Sequence, residues 1–380
     1  MRIGIVTGEY PPMLGGVGAY TQVLARSLVE QGQDVRVFST TGAHSPDPNI
    51  PLMNGVTRWN LNSLFAVRRW ASEQALDVVN LQFQTAAYAM SPFIHFLPDV
   101  VRNVPVITTF HDLRYPYLFP KAGPMRDWIV RHLVRACDGI IVTNTEDYAR
   151  IQPFTQAQII PIGSNILVPL SPDYNAAEWR AKAGAQPDDF LIAHFGFLKQ
   201  GKGLETLLDG VASLHQAGVP VRLIMIGGRI STNEPSDADY AVEVDARIET
   251  LGISPLVHWT GYKNDGAVGV FLAASDVLVL PFSDGASYRS GSLMAALLYG
   301  GAVVTTIPRT ETPAFIDGEN MLLFPPNDSA ALTHSLQRLY DSPELRQRLR
   351  QRARQLARQF DWSQIAKDHV AFFQRIKATV

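Results

Sequence analysis

Ile3-Gly-Ile-Val-Thr-Gly8-Glu-Tyr-Pro-Pro-Met-Leu-Gly15-Gly16-Val-Gly18 opens the chain as a strand, a glycine-rich turn and the first turn of a helix. Ile3–Thr7 is a β-branched run; Val17, Tyr20, Leu24 and Leu28 then recur at helical spacing until Gly32 stops the pattern. Strand, tight turn and helix in that order begin a doubly wound α/β sheet. Glycine lets a backbone approach a ligand closely, and a helix N-terminus attracts an anion, so Gly15 and Gly16 are candidate ligand contacts. The third glycine of the dinucleotide fingerprint is missing, and a plain strand-to-helix turn explains the same residues.

The alternation continues outward from that stretch. Val35–Ser39, Val78–Gln82, Val106–Phe110 and Ile140–Thr143 are strand-like in the first half. Leu191–Phe195, Arg222–Ile226, Val257–Thr260, Val277–Leu280, Ala302–Thr306 and Met321–Phe324 are strand-like in the second. Several are apolar at nearly every position, as strands buried on both faces are. Helical periods lie between them, for example Leu204, Leu207, Val211 and Leu214 before Gly218. The pattern pauses at Ile160–Pro172, which carries three prolines and a glycine and suits a linker. The expected organisation is α/β, with two Rossmann-like doubly wound domains facing across a cleft. Residues 1–165 form the first, 166–358 the second, and 359–380 a closing helix, Trp362–Lys377, that returns to the first.

Three further stretches sit at strand ends, where open sheets bind ligands. Phe110-His111-Asp112 closes the strand counted fourth, and its imidazole suits a sugar hydroxyl or a charge near a reacting carbon. A structural histidine is the plain alternative. Phe195-Gly196-Phe-Leu-Lys-Gln-Gly-Lys202-Gly203 leads into a helix, with Lys202 placed for phosphate and Lys199 as its competitor. A solvated lysine beside a turn reads equally well, and the spacing is not a Walker loop. Pro281-Phe-Ser-Asp284-Gly-Ala-Ser287-Tyr-Arg289-Ser290-Gly291-Ser292-Leu293 opens another helix. Ser290, Gly291 and Ser292 would turn N–H groups toward an anion, and Arg289 adds a charge-assisted contact to a diphosphate. Helix capping by these residues is the alternative.

Composition narrows the class. Of 380 residues, 46% are hydrophobic and 18% charged, which excludes disorder. Lys and Arg number 33 against 35 Asp and Glu, for a formal charge of −2, so nothing calls for nucleic acid. The single cysteine, Cys137, excludes an intrachain disulfide and a Cys-based zinc site. Ala86–Val101 is too broken by Pro92, His95, Pro98 and Asp99 to span a bilayer, and no signal peptide is visible, so a cytoplasmic protein is expected.

These segments, in this order, resemble retaining glycosyltransferases of family 4 with the GT-B fold, over nearly the whole chain. Leu256–Tyr262 resembles the stretch that meets the nucleotide base, which makes Tyr262 a donor-binding candidate. Ser275–Pro281 resembles the strand before the sugar-binding loop, and Phe360-Asp-Trp-Ser-Gln-Ile the start of the closing helix. The resemblance implies a nucleotide-sugar donor, with uridine the commonest base, and a saccharide or lipid-linked hydroxyl acceptor. It implies that Lys202 neutralises the leaving diphosphate, His111 contacts the transferred sugar and Gly16 approaches the phosphates. It implies no metal or other cofactor, and work in polysaccharide or glycolipid synthesis.

Two departures mark a divergent subgroup. Phe197 stands where the family has an arginine, and Ser287 and Ala295 stand where it has a pair of glutamates. Arg289 and Asp284 are the substitute cation and carboxylate. The rival readings are a non-catalytic nucleotide-sugar-binding or scaffold protein, and a GT-B nucleotide-sugar epimerase. Lys121–Arg135, with Trp128, is a basic amphipathic stretch that reads first as a helix packed on the sheet and second as contact with the inner face of a membrane. Asp237-x-Asp239 reads as part of a solvated polar loop, Leu345–Arg358 as a solvated helix face, and Cys137 as a small buried residue.

Overall fold

The computed structural model describes residues 1–13, 15–113, 124–151, 156–228 and 235–379, with the backbone alone at 124–126 and 235–237. They form two compact units, Met1–Asn165 with Asp361–Val380, and Ile166–Phe360.

In the first unit the elements run β1 (Arg2–Thr7), α1 (Gly16–Glu30), β2 (Asp34–Thr40), β3 (Leu52–Val56), α2 (Leu61–Glu73), β4 (Val78–Phe83), α3 (Leu97–Val100), β5 (Val106–Phe110), α4 (Pro124–Ala136), β6 (Gly139–Val142), α5 (Thr145–Ile151) and β7 (Ala157–Ile159). The strands pair in parallel in the order β3-β2-β1-β4-β5-β6-β7. Both faces are covered. Val6, Phe38, Trp70, Leu81 and Phe83 pack with Leu64, Val67 and Leu133 on one side. Ile3, Ile5, Val35 and Val37 pack with Tyr20, Leu24 and Leu28 of α1 on the other. That two-sided burial is why β1 and β4 are buried at nearly every position.

The second unit runs α6 (Ala176–Lys182), β8 (Phe190–Phe195), α7 (Leu204–Gln216), β9 (Val221–Ile226), α8 (Pro235–Thr250), β10 (Val257–Trp259), α9 (Asp265–Ala274), β11 (Val277–Leu280), α10 (Gly291–Leu298), β12 (Ala302–Thr306), β13 (Leu322–Phe324), α11 (Ser329–Asp341) and α12 (Pro343–Ala357). Its parallel order is β10-β9-β8-β11-β12-β13. Ile192, Leu223, Val279 and Val304 of the sheet pack against Leu207, Val211 and Leu336.

The last helix, α13 (Trp362–Lys377), belongs to the first unit. Asp361 caps it by accepting from Ser363 N–H at 2.8 Å. Trp362, Ile365, Phe372, Phe373 and Ile376 join the α1 side of the sheet. Trp362 donates its indole N–H to the Ser164 carbonyl at 2.6 Å, and its ring lies 5.1 Å from that of Tyr20.

Several expectations are corrected. Phe110 ends the fifth strand, not the fourth, because β3 went unread; Leu-Met-Asn-Gly-Val at the sheet edge alternates partly buried and exposed positions before a buried Val56 and lacks an apolar run. β7 is the other edge and is only partly buried. Asp237 and Asp239 lie on α8, not in a loop. Of the Lys121–Arg135 stretch, residues 121–123 lie outside those described; from Asp127 on, α4 buries Val130, Leu133 and Val134 and exposes Trp128 and Arg131. That is a helix packed on the sheet. Cys137 is buried, 2.8 Å from Thr108 Oγ1, and burial raises its thiol pKa to about 12. Among the described residues, no helix is long and apolar enough to cross a membrane.

Trp362 ties the returning helix down by ring packing and one hydrogen bond. Trp362→Ala should lower the stability of the first unit by about 3–5 kcal/mol, whereas Trp362→Phe, which loses mainly the N–H bond, should cost about 1 kcal/mol. Urea midpoints of the three proteins measure both.

Candidate active site

In the second unit the strand order reverses between β8 and β11, the place where open parallel sheets bind ligands. The loop 196–203 leaves β8 for α7, and the loop 281–290 leaves β11 for α10. The two loops are fastened together. Ser283 N–H donates to the Gly201 carbonyl at 3.0 Å. Gly203, at φ +69°, sits so close to Pro281 that a Cβ would lie 1.8 Å from its carbonyl oxygen. Conformation and contact both require glycine there.

Lys202 is held beside that contact, its Nζ 5.0 Å from the centroid of the Phe282 ring. The residue keeps some exposure, yet burial is the largest influence on its ammonium and lowers its pKa. Asp284 opposes the shift, while Lys199 and Arg289 reinforce it. Arg289 Nη2 bonds the Asp284 carboxylate at 3.3 Å, and its side chain is only 17% exposed. Among the described residues, the charges acting on Lys202 are the cations Lys199 and Arg289 and the carboxylate Asp284.

Among the described residues, no side chain closes the helix start next to them. Ser290 is the N-cap of α10, but its hydroxyl makes no cap bond, so the capping explanation fails. Ser287 accepts instead: its carbonyl takes Ser290 N–H at 3.1 Å and its Oγ takes Arg289 N–H at 3.5 Å, shaping a tight turn. Gly291 and Ser292, on the first turn of α10, are partly exposed. Gly196 has φ +148° with open space where a Cβ would be. Tyr262 is 68% exposed and follows Gly261, which bridges to Gly227. It lies on the β10 edge, two strands from β8, apart from the lysine and arginine.

The switch point of the first unit lies between β1 and β4. The turn Gly8–Gly15 does lead into α1, but its amides are engaged. Glu9 Oε1 accepts from Val17 N–H at 3.1 Å and Gly18 N–H at 3.2 Å. A Cβ on Gly15 would meet that carboxylate at 2.2 Å, which is why glycine stands there. Burial raises the Glu9 pKa and the two amides hold it down. The helix end anticipated for an outside anion thus holds the chain's own. Gly16 is exposed, with nothing within reach of a Cβ.

His111 and Asp112 follow β5 and are partly exposed. The His111 ring stands edge-on to Tyr20 of α1 with centroids 4.7 Å apart, so the glycine turn and the histidine belong to one neighbourhood. His111 Nε2 lies 2.8 Å from Gln82 Oε1. Burial, then the charge of His369, lowers its pKa to about 3. Tyr20 Oη reaches His369 Nε2 at 3.3 Å.

Comparison with known proteins agrees with this layout. Residues 14–162 match the model described as Glycosyltransferase Family 4, and residues 175–356 the model Glycosyl transferases group 1. The chain is 30% identical to an MMP alpha-(1->4)-mannosyltransferase of Mycolicibacterium hassiacum, covering 100% of this chain and 99% of that one. It belongs to glycosyltransferase family 4. This family 4 chain superposes on sucrose-phosphate synthase from Thermosynechococcus elongatus with a TM-score of 0.80 at 18% identity, covering 100% of both. Anabaena HepE in complex with UDP gives 0.78 at 18% identity, covering 99% of this chain and 100% of that one. The fold is GT-B and the chain is a glycosyltransferase.

Its departures from the family now have surroundings. Phe197 is 46% exposed beside Gly196, so no cation replaces the arginine in place. Ala295 is fully buried within α10, which leaves no side chain facing a ligand there. Sequence reading missed three groups: Glu9, Gln82 and His194. The last two had a signal, being polar residues inside buried strands. His194 Nδ1–H donates to the Val279 carbonyl at 3.0 Å, across the β8–β11 switch, and its Nε2 is buried without a partner among the described residues.

Burial lowers the pKa of His95, His194 and His369 from 6.5 to about 4. Neutral in the fold, these rings take up protons on unfolding once the pH drops below 6.5. Stability is therefore full above about pH 6.5 and falls as pH goes from 6.5 toward 4, by up to ~1.4 kcal/mol per pH unit for each ring. Urea midpoints at pH 7.5, 6 and 5 should decline in that order, and less steeply in His369→Gln. Midpoints unmoved over that range would show that the rings charge inside the fold.

Proposed function

We propose that this glycosyltransferase binds a nucleoside diphosphate sugar at the β8/β11 switch of the second unit. The observation that carries this is the gathering of two cations, Lys202 and Arg289, beside a start of α10 that Ser290 leaves uncapped. Helix dipole and charge-assisted donors both favour a diphosphate there. Uridine is the base we assign; the support is the family resemblance and the UDP held by Anabaena HepE. Tyr262 and the turn at Gly261 serve the nucleoside, and Gly196 lets the backbone approach it.

During transfer the bond from the anomeric carbon to the diphosphate breaks. The acceptor hydroxyl oxygen bonds to that carbon, with retention, and its proton passes to the departing diphosphate. Negative charge grows on the leaving group, and Lys202 and Arg289 stabilise it, a role that needs no metal ion. Asp284 and the hydroxyls of Ser287, Ser290 and Ser292 serve the sugar. His111 touches a hydroxyl of the transferred sugar, with Asp112 beside it. The acceptor is a saccharide or lipid-linked hydroxyl in polysaccharide or glycolipid synthesis. A cytoplasmic location at the inner face of a membrane is the finer reading, supported by the exposed Trp128 on α4.

Thermal melts against UDP-, GDP-, ADP- and dTDP-sugars test the donor. A ligand at 100 times its dissociation constant should stabilise the protein by about 2.7 kcal/mol. The UDP series should shift the melt, and Lys202→Ala and Arg289→Ala should respond weakly or not at all. Each substitution should lower kcat by about 10²–10³-fold. A shift by another base would reassign the nucleotide; undiminished turnover in Lys202→Ala would remove the diphosphate reading.

A further inference from the structure

Asn80 and Gln82 are fully buried on β4, in a strand otherwise apolar, with Thr109 on the neighbouring β5. Buried polar groups of this kind are satisfied by one another or they destabilise the fold. Here they form a chain whose direction can be worked out from one end.

The Ile107 carbonyl can only accept. Asn80 therefore turns its Nδ2 toward it, at 3.1 Å, and spends its other N–H on Thr109 Oγ1 at 3.0 Å. That leaves Asn80 Oδ1 as an acceptor, and Gln82 Nε2 donates to it. Gln82 Oε1 is then the atom left facing His111 Nε2, at 2.8 Å. An amide oxygen can only accept, so the imidazole must carry its proton on Nε2. A neutral ring so held has a bare lone pair on Nδ1. The Tyr20 ring, edge-on at 4.7 Å, limits rotation of the imidazole.

We propose that Gln82 is a positioning residue that fixes His111 as the Nε2–H tautomer, so that Nδ1 meets the transferred sugar as a hydrogen-bond acceptor. This rests on the reading that His111 touches that sugar. The consequence for specificity is chemical. An acceptor nitrogen pairs with a hydroxyl and repels a carboxylate, so a neutral hexose is favoured over a uronic acid at that contact.

The wild-type enzyme with ring-labelled histidine tests the tautomer directly. In long-range proton–nitrogen spectra at pH 7.5, the ring lost in His111→Ala should show a protonated Nε2 and a bare Nδ1. A protonated Nδ1 overturns the proposal, whether or not any variant folds. Gln82→Met keeps the length of the side chain and removes its acceptor. It should melt within a few degrees of wild type, show mixed His111 tautomers and lose about tenfold or more in kcat/KM. Wild-type turnover with an unchanged tautomer in Gln82→Met overturns the role of Gln82 alone. Wild-type turnover in His111→Ala instead overturns the reading beneath it.

Discussion

The backbone of Gly203 lies against the carbonyl of Pro281, at a separation that admits no side chain. That contact locks the loop after β8 to the loop after β11, and the Ser283–Gly201 bond repeats the lock one step away. Lys199, Lys202, Asp284 and Arg289 all hang from these two loops. Lys202 is set by its bond to Gly203, Asp284 and Arg289 by their distance from Pro281. A Cβ at 203 would have to push apart strands whose side chains are the core of the unit, since β8 and β11 are direct neighbours. Interiors packed at crystal density absorb such a push poorly. The lysine is therefore aimed by a backbone constraint and not by its own long stem.

The two switch points solve the same problem in opposite ways. Each ends in a helix N-terminus whose amides need acceptors. In the first unit the chain supplies its own, Glu9, drawn back onto Val17 and Gly18. In the second, no side chain among the described residues caps α10, and cations gather nearby. A negative ligand finds the first already neutralised and the second attractive. That asymmetry supports the proposal of a diphosphate in the second unit.

How much of this was legible depends on whether the controlling contact is local. Buried parallel strands betray themselves by apolar runs, and the helices by their period and glycine stops, so the doubly wound order followed from Ile3–Gly18 outward. The edges did not: β3 and β7 pair on one side only and need no apolar run. Lys202-Gly203 could be read because its constraint is a left-handed glycine at a helix start. Glu9 could not, because a glycine turn before a helix looks the same whether the anion comes from outside or from the chain itself. Asp237 and Asp239 look like loop residues in isolation; only the helical continuation to Thr250 settles them. Asn80 and Gln82 stood in plain view as polar letters in a buried strand, but their partner, His111, arrives through strand pairing.

The substituted positions change the balance of the donor site in a consistent direction. Where relatives place two carboxylates, this chain has a turn serine and a buried alanine, and the remaining carboxylate, Asp284, is already paired with Arg289. On the proposed function, fewer negative charges then stand near the diphosphate, so each cation acts on it with less opposition. Lys202 then needs no arginine at Phe197 to hold the same charge. The Asp284–Arg289 pair keeps the guanidinium satisfied before the donor binds, which avoids an uncompensated charge in a site that already lowers the pKa of Lys202. On the proposed function, an arriving diphosphate competes with Asp284 for Arg289 and, as it does, favours the charged form of Lys202.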